Sequence, residues 1–307
     1  MMLNYLLYIG VALFLTMTCS NQVSALSTTP EKPQTASLSF GAELASGKYG
    51  TDSTIRSVYM PLIATWSPND RLDFGIEVPF IYQNSSNVTT DLYRNSQSST
   101  NAKTTARGGP GGSSGNYRMQ QTGGVSTIQG SSTGNAYLNY SGRSDSDVSG
   151  LGDIILRAGY ILLLDNSSMP QVRTSLFVKT PTASVSDGLG TGEFDFGGGF
   201  DLSKWFGNLH LAGEVLYNYQ GRVSGFGLNN YFSYSGTVGY QITESMRPML
   251  VLKGATAPST HSEDLLEVRA RVIWSLTDKT SLDIYCVRGI TDSSPDYGGG
   301  ISVIYSF

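Results

Sequence analysis

Apolar and polar side chains alternate with a period of two in one stretch after another of this chain. Leu38, Phe40, Ala42 and Leu44 share one phase, with Ser39, Gly41 and Glu43 between them. Val58, Met60, Leu62, Ala64 and Trp66 form the next set, followed by Leu72, Phe74, Ile76, Val78 and Phe80. The pattern returns at 154–160, 172–178, 196–202, 209–217, 232–242, 250–253, 266–274, 282–286 and 301–307. Such a period marks strands with one apolar and one polar face. About twelve segments are predicted, each near the ten or so residues that a tilted membrane strand requires. Pro61, Pro79 and Pro181 interrupt the pattern and predict bulges or strand ends near one rim.

The connections alternate too. Short ones fall at 68–70, 165–169, 207–208, 243–245 and 277–280, and longer ones at 47–53, 84–148, 183–192, 220–229, 257–262 and 290–296. Tight turns at one end and long loops at the other are the asymmetry of a bacterial outer-membrane barrel; a soluble sandwich has no reason to sort its loops by parity. Trp66, Trp205 and Trp274 lie beside short turns, and Tyr49, Tyr82, Phe194, Tyr219, Tyr231 and Tyr297 beside long loops. Rings at both levels match the two aromatic girdles of a membrane barrel, except that strict alternation from Leu202 turns Trp205 inward.

Composition narrows the class further. Charged residues make up 14% of the 307, with 36 glycines and 18 tyrosines, whereas soluble domains average about 25% charged residues. A net charge of −4 and a pI near 5.2 leave no basic footprint for nucleic acid. Residues 1–25 read as a signal peptide: an apolar run through Leu6, Leu7, Ile9, Val11 and Leu13–Leu15, then Val23-Ser24-Ala25 for cleavage. Thr16-Met17-Thr18 before Cys19 is poor context for a lipid anchor, and no Lys or Arg precedes the apolar run. Residues 26–35 read as a periplasmic segment and 36–307 as the barrel. The fold class is therefore all-β, an antiparallel transmembrane β-barrel of about twelve strands.

Twelve strands spaced about 4.8 Å and tilted about 40° close into a cylinder roughly 24 Å across, leaving at most a channel of about 10 Å. By parity its inner face carries Glu43, Asp73, Glu77, Asp153, Asp195, Asp201, Glu214, Glu267 and Asp283 against Arg157, Arg173, Lys179, Lys253, Arg269 and Arg271. These groups are the candidate pore lining. They either pair across the lumen and fill it, or line a selective path. Glu267, Arg269 and Arg271 share one strand face, the best place for unpaired positive potential.

Residues 84–148 are dominated by Ser, Thr, Gly, Asn and Gln and cannot bury enough apolar area to fold alone. They read as a long external loop, projecting outward in preference to entering the channel, whose basic residues could meet lipopolysaccharide.

Catalytic motifs are weak. His210 alternates onto the inner face, away from the lipid boundary where a Ser/His hydrolase barrel would need it, and His261 falls in a loop. Asp145–Gly150 lacks the closing glutamate of a calcium loop, because Leu156 stands there. The glycine runs at 150–152 and 188–192 precede no helix and read as turn and strand-entry glycines. No enzyme activity, metal or cofactor is expected.

Several runs resemble one bacterial family: Ser46–Thr51, Val58-Tyr59-Met60-Pro61-Leu62, Val78-Pro79-Phe80-Ile81, Ser149-Gly150-Leu151-Gly152-Asp153, Phe177-Val178-Lys179-Thr180-Pro181-Thr182 and Gly188-Leu189-Gly190-Thr191-Gly192. That family is the outer-membrane transporters labelled MetA-pathway of phenol degradation. The resemblance spans 37–307, with 84–148 as an enlargement, and offers no site residues to carry over. It implies a porin-like channel for passive uptake of small solutes, aromatic compounds among them. The competing expectation is a structural or surface-interaction barrel with a plugged lumen. Expected partners are outer-membrane lipid and lipopolysaccharide, a small-molecule solute, and the assembly machinery, read from the last strand ending in Phe307.

Overall fold

The computed structural model describes residues 36–49, 54–84, 88–89, 136–137, 147–223, 227–260 and 262–307. The expected signal peptide and periplasmic segment, nearly all of the 84–148 loop, and His261 lie outside these residues.

The alternating segments are strands. In chain order they are β1 (Ala36–Gly47), β2 (Ile55–Trp66), β3 (Leu72–Gln83), β4 (Val148–Leu151 continued by Ile154–Leu163), β5 (Gln171–Thr180) and β6 (Asp195–Phe206). Then follow β7 (Leu209–Tyr219), β8 (Tyr231–Tyr240), β9 (Met246–Ala255), β10 (Leu265–Ser275), β11 (Thr280–Gly289) and β12 (Tyr297–Ser306). Each pairs antiparallel with the next, and β12 returns to β1 from Ser37↔Ser306 to Ser46↔Tyr297. The sheet is thus a closed barrel of twelve strands, which leaves no open edge. The Phe307 amide still donates to the Ala36 carbonyl at 3.0 Å, so the chain's last residue is part of the seam.

Parity holds in the strands, broken in β4 at Gly152-Asp153 and between Ile161 and Leu163, where the register shifts. Phe40, Leu44, Leu62, Phe74, Ile76, Leu176, Phe200, Val215, Leu250 and Ile301 are exposed on the outer wall. Their inward neighbours are buried, and charged and polar groups predominate there beside apolar ones such as Ile63, Phe177 and Leu216. A continuous apolar outer surface around an ionic interior inverts the order of a soluble protein and is the arrangement of a lipid-embedded barrel. The protein is a bacterial outer-membrane β-barrel with short periplasmic turns and longer external loops.

The girdle at the short-turn end holds Trp66, stacked on Phe74 with centroids 5.8 Å apart, together with Trp274 and Phe307. At the long-loop end Phe194 and Tyr297 are exposed, but Tyr49 and Tyr231 are not girdle residues. Tyr231 opens β8 on its inward phase and packs with Ala255 and Leu265. Tyr49 has a positive φ of 49° past the end of β1 and packs on Ile55. Position beside a loop sets the level of a ring; strand phase sets which wall it meets.

The prolines have separate explanations. Pro61 and Pro79 oppose each other in the β2–β3 pair, so each directs its missing N–H toward its other neighbour. On the Pro61 side, the β1–β2 ladder skips from Phe40↔Leu62 to Glu43↔Tyr59 without a change of register, so no bulge forms there. On the Pro79 side, pairing passes from Glu77↔Ile155 to Phe80↔Leu151, a one-residue slip. Gly152-Asp153 is that bulge, and it turns Asp153 into the barrel. Pro181 lies just beyond β5, at the outer rim.

Candidate functional site

All fifteen side chains expected on the inner face are there, and every one except Arg157 falls among the buried residues. Their partners sort them into three networks.

The first network lies between β3 and β6. Arg173 faces Asp201 in register and spans to Asp73, with Nη2–Oδ1 at 2.8 Å, Nε–Oδ2 at 3.2 Å and Nη1–Oδ2 of Asp201 at 3.2 Å. To reach Asp73 it must cross β4, and Gly159 makes the crossing possible: a Cβ there would stand 1.7 Å from Arg173 Nη2. Arg157 pairs with Glu77 at 2.9 Å, and the Tyr59 hydroxyl donates to the same carboxylate.

The second network sits nearer the outer rim. Lys179 lies 2.6 Å from Asp195 and 3.4 Å from Asp153. Both carboxylates also hold loop backbone: Asp153 accepts from the Ala183 amide at 2.9 Å, and Asp195 from the Gly221 amide at 2.8 Å. The 181–194 connection consequently turns into the mouth of the barrel. Its Ala183 and Leu189 pack on Tyr59 and Ile81 of the inner wall, while Val185 stays exposed. Gly188 and Gly192, with φ of 73° and 78°, make the two reversals that this course needs. They are the turn glycines expected there, without the strand entry. Gly152 is required as well, since its Cβ would stand 2.6 Å from the Ile81 side chain. Three motifs distant in sequence (149–153, 177–182 and 188–192) thereby meet at one place, around Asp153 and Lys179.

The third network occupies β9 to β11. Lys253 is in register with Glu267 and lies within the field of Arg269, Glu214 of β7 and Glu43 of β1. Arg269 donates to Glu267 with Nε–Oε1 at 2.6 Å and lies 5.3 Å from the Tyr285 ring. Arg271 binds Asp283 through Nε and Nη2, with Nε–Oδ1 at 2.8 Å. The expectation of unpaired positive potential at Glu267, Arg269 and Arg271 is therefore corrected. Residues two apart on a strand lie side by side on one face, which joins Arg269 to Glu267, and the neighbouring strand supplies Asp283 to Arg271.

Two contributors escaped the sequence reading. Arg247 points inward beside Pro248, where alternation is too short to reveal a phase, and the 181–194 loop hides its seat behind turn-like glycines. Asp147 of the weak calcium motif instead accepts from the Tyr82 hydroxyl at 2.7 Å, and His210 is buried on the inner face. Glu77, Asp153 and Lys179 are 0% exposed, covered by their ionic partners and the wall and loop around them.

The barrel has counterparts among solved structures. It is similar to an outer-membrane channel from Pseudomonas putida F1, with a TM-score of 0.57 at 13% identity, over 93% of this chain and 100% of that one. The KdgM porin gives 0.49 at 7% identity over 88% and 99%, and the NanC porin 0.48 at 11% over 88% and 100%. No curated protein matches the sequence. A family model described as "Putative MetA-pathway of phenol degradation" matches residues 83–307, and that share of the chain makes the protein a member of this family.

Proposed function

We propose that this protein, exported by its 1–25 segment, is a porin-like channel that lets small solutes cross the outer membrane passively, aromatic compounds among them. The observation that carries the reading is the inner face itself. Buried ion pairs contribute little net stability compared with well-packed apolar groups, so a barrel kept only for structure gains nothing by holding three ionic networks. A path for hydrated solutes does, because fixed charges replace lost hydration along the way. The three networks are the pore lining, and the 181–194 loop is its narrowest section. The aromatic part of the reading draws on the family's description. The outer wall and external loops meet lipid and lipopolysaccharide, and the assembly machinery takes the last strand with Phe307.

The test is unitary conductance of the purified chain in planar bilayers. Acids outnumber bases on the inner face even with Arg247 included, so the expected reversal potential shows a modest cation preference that fades at high salt. Anion preference would overturn the assignment of the lining. A second reading, a plugged structural barrel, is favoured by the complete burial of Glu77, Asp153 and Lys179. Silence in bilayers, both for the whole chain and for a variant lacking 85–146, would select it.

A further inference from the structure

At the periplasmic end of the barrel three side chains form a cluster outside the ionic networks. Trp205 and His210 are register partners across the two-residue turn that joins β6 to β7. Both face inward, and their ring centroids are 4.6 Å apart. Arg247, near the start of β9, holds its guanidinium carbon 5.4 Å from the centre of the Trp205 ring. Gly239 of β8 is the register partner of both His210 and Met249, and it puts no side chain into the space between them.

The polar atoms of this cluster are unsatisfied. Trp205 Nε1, both nitrogens of the buried His210 and Arg247 Nε are buried without a hydrogen-bond partner. Leaving such groups unpaired costs about 1–3 kcal/mol each, so the arrangement calls for a ligand. The nearby acids do not supply one. Asp165 is held by Lys204 at 2.8 Å and by the Trp205 amide at 3.3 Å. Asp283 is held by Arg271. Arg247 has no ion-pair partner among the described residues. An indole N–H and a guanidinium only donate, and an imidazole always offers at least one donor or acceptor nitrogen. A partner that serves all three at once is rich in acceptors, the positive charge of Arg247 favours an anion, and a planar carboxylate matches the guanidinium fork.

We infer that Trp205, His210 and Arg247 form a subsite for the carboxylate of a small organic acid at the periplasmic end of the channel. The inference deepens the channel reading by naming a solute class, and it rests on that reading for its physiological meaning. Its readout is binding, which needs no ion flow, so the two fail separately.

Trp205 reports on the subsite directly. The other two tryptophans, Trp66 and Trp274, lie on the outer wall and are replaced by phenylalanine. The detergent-solubilised full chain is then titrated with sodium butyrate, with butyramide as the uncharged match and sodium chloride as the ionic-strength control. A saturable change in Trp205 emission is expected with butyrate alone. Arg247→Gln is expected to weaken it about tenfold or more, the loss of one charge-assisted contact, and His210→Gln less. Should Arg247→Gln fail to give heat-modifiable barrel, Arg247→Lys, which keeps the charge and loses the fork, carries the same test. An equal response to butyramide, no saturable response, or unchanged affinity in the Arg247 variants overturns the inference.

Discussion

Replacing Arg173 with methionine should destabilise the barrel by about 3–5 kcal/mol, the cost of breaking a buried ionic group by removing one partner. Arg173 bridges Asp73 and Asp201, and all three are buried. Methionine fills much the same volume but withdraws the guanidinium from two buried carboxylates at once. Urea titration of barrel refolded into detergent micelles, followed by heat-modifiable electrophoretic migration, measures the loss. The triple variant Asp73→Asn, Arg173→Met, Asp201→Asn should recover most of it, because the charges rather than the cavity carry the cost. Lys204→Met is the reference: its pair with Asp165 is partly solvated and worth about 1 kcal/mol or less. A single Arg173 variant as stable as the parent would remove the network from any account of what holds the interior together.

That interior was legible in the sequence to an unequal degree. Which residues face inward followed from period two alone, and the phase of Trp205 followed even where its position beside a turn argued for the girdle. Loop parity gave the closed barrel and its polarity. Partner choice was not legible. Arg269 and Arg271 look alike on the strand, yet one pairs along β10 and the other across to β11, a matter of rotamers and register that alternation does not encode. Tyr49 and Tyr231 show the converse failure, in which closeness to a loop was read ahead of strand phase. The deepest gap concerned residues 181–194. Glycine at 188, 190 and 192 was visible, but the apolar anchor Leu189 between them has meaning only once Tyr59 and Ile81, more than a hundred residues earlier, are seen to form its seat. The Gly152-Asp153 bulge was foreshadowed by Pro79 and not by Pro61, because a proline needs a bulge only where the neighbouring strand cannot simply skip a pairing.

The same seat yields the largest expected functional change. Leu189→Glu would place a carboxylate in the apolar contact with Tyr59 and Ile81, next to the carboxylates of Asp153 and Glu77. Burying an unpaired charge there costs several kcal/mol, more than the hydrogen bonds that hold the middle of the loop to the wall, such as the Ala183 amide on Asp153 and Gln83 Nε2 on the Gly188 carbonyl at 3.4 Å; Thr182, bonded to Ile154 and Gly152, keeps the loop's start in place. The loop should leave the lumen before the barrel unfolds. Since the narrowest charged section governs passage, unitary conductance in planar bilayers is expected to rise about twofold or more. Val185→Glu, on the exposed side of the same loop, should leave conductance unchanged, which separates release of the loop from a general effect of added charge. Heat-modifiable migration should be retained in both variants, because the twelve-strand ladder does not pass through this loop. Parent-like conductance for Leu189→Glu, with the barrel intact, would move the constriction away from residues 181–194 and onto the Arg173 and Lys253 networks below it.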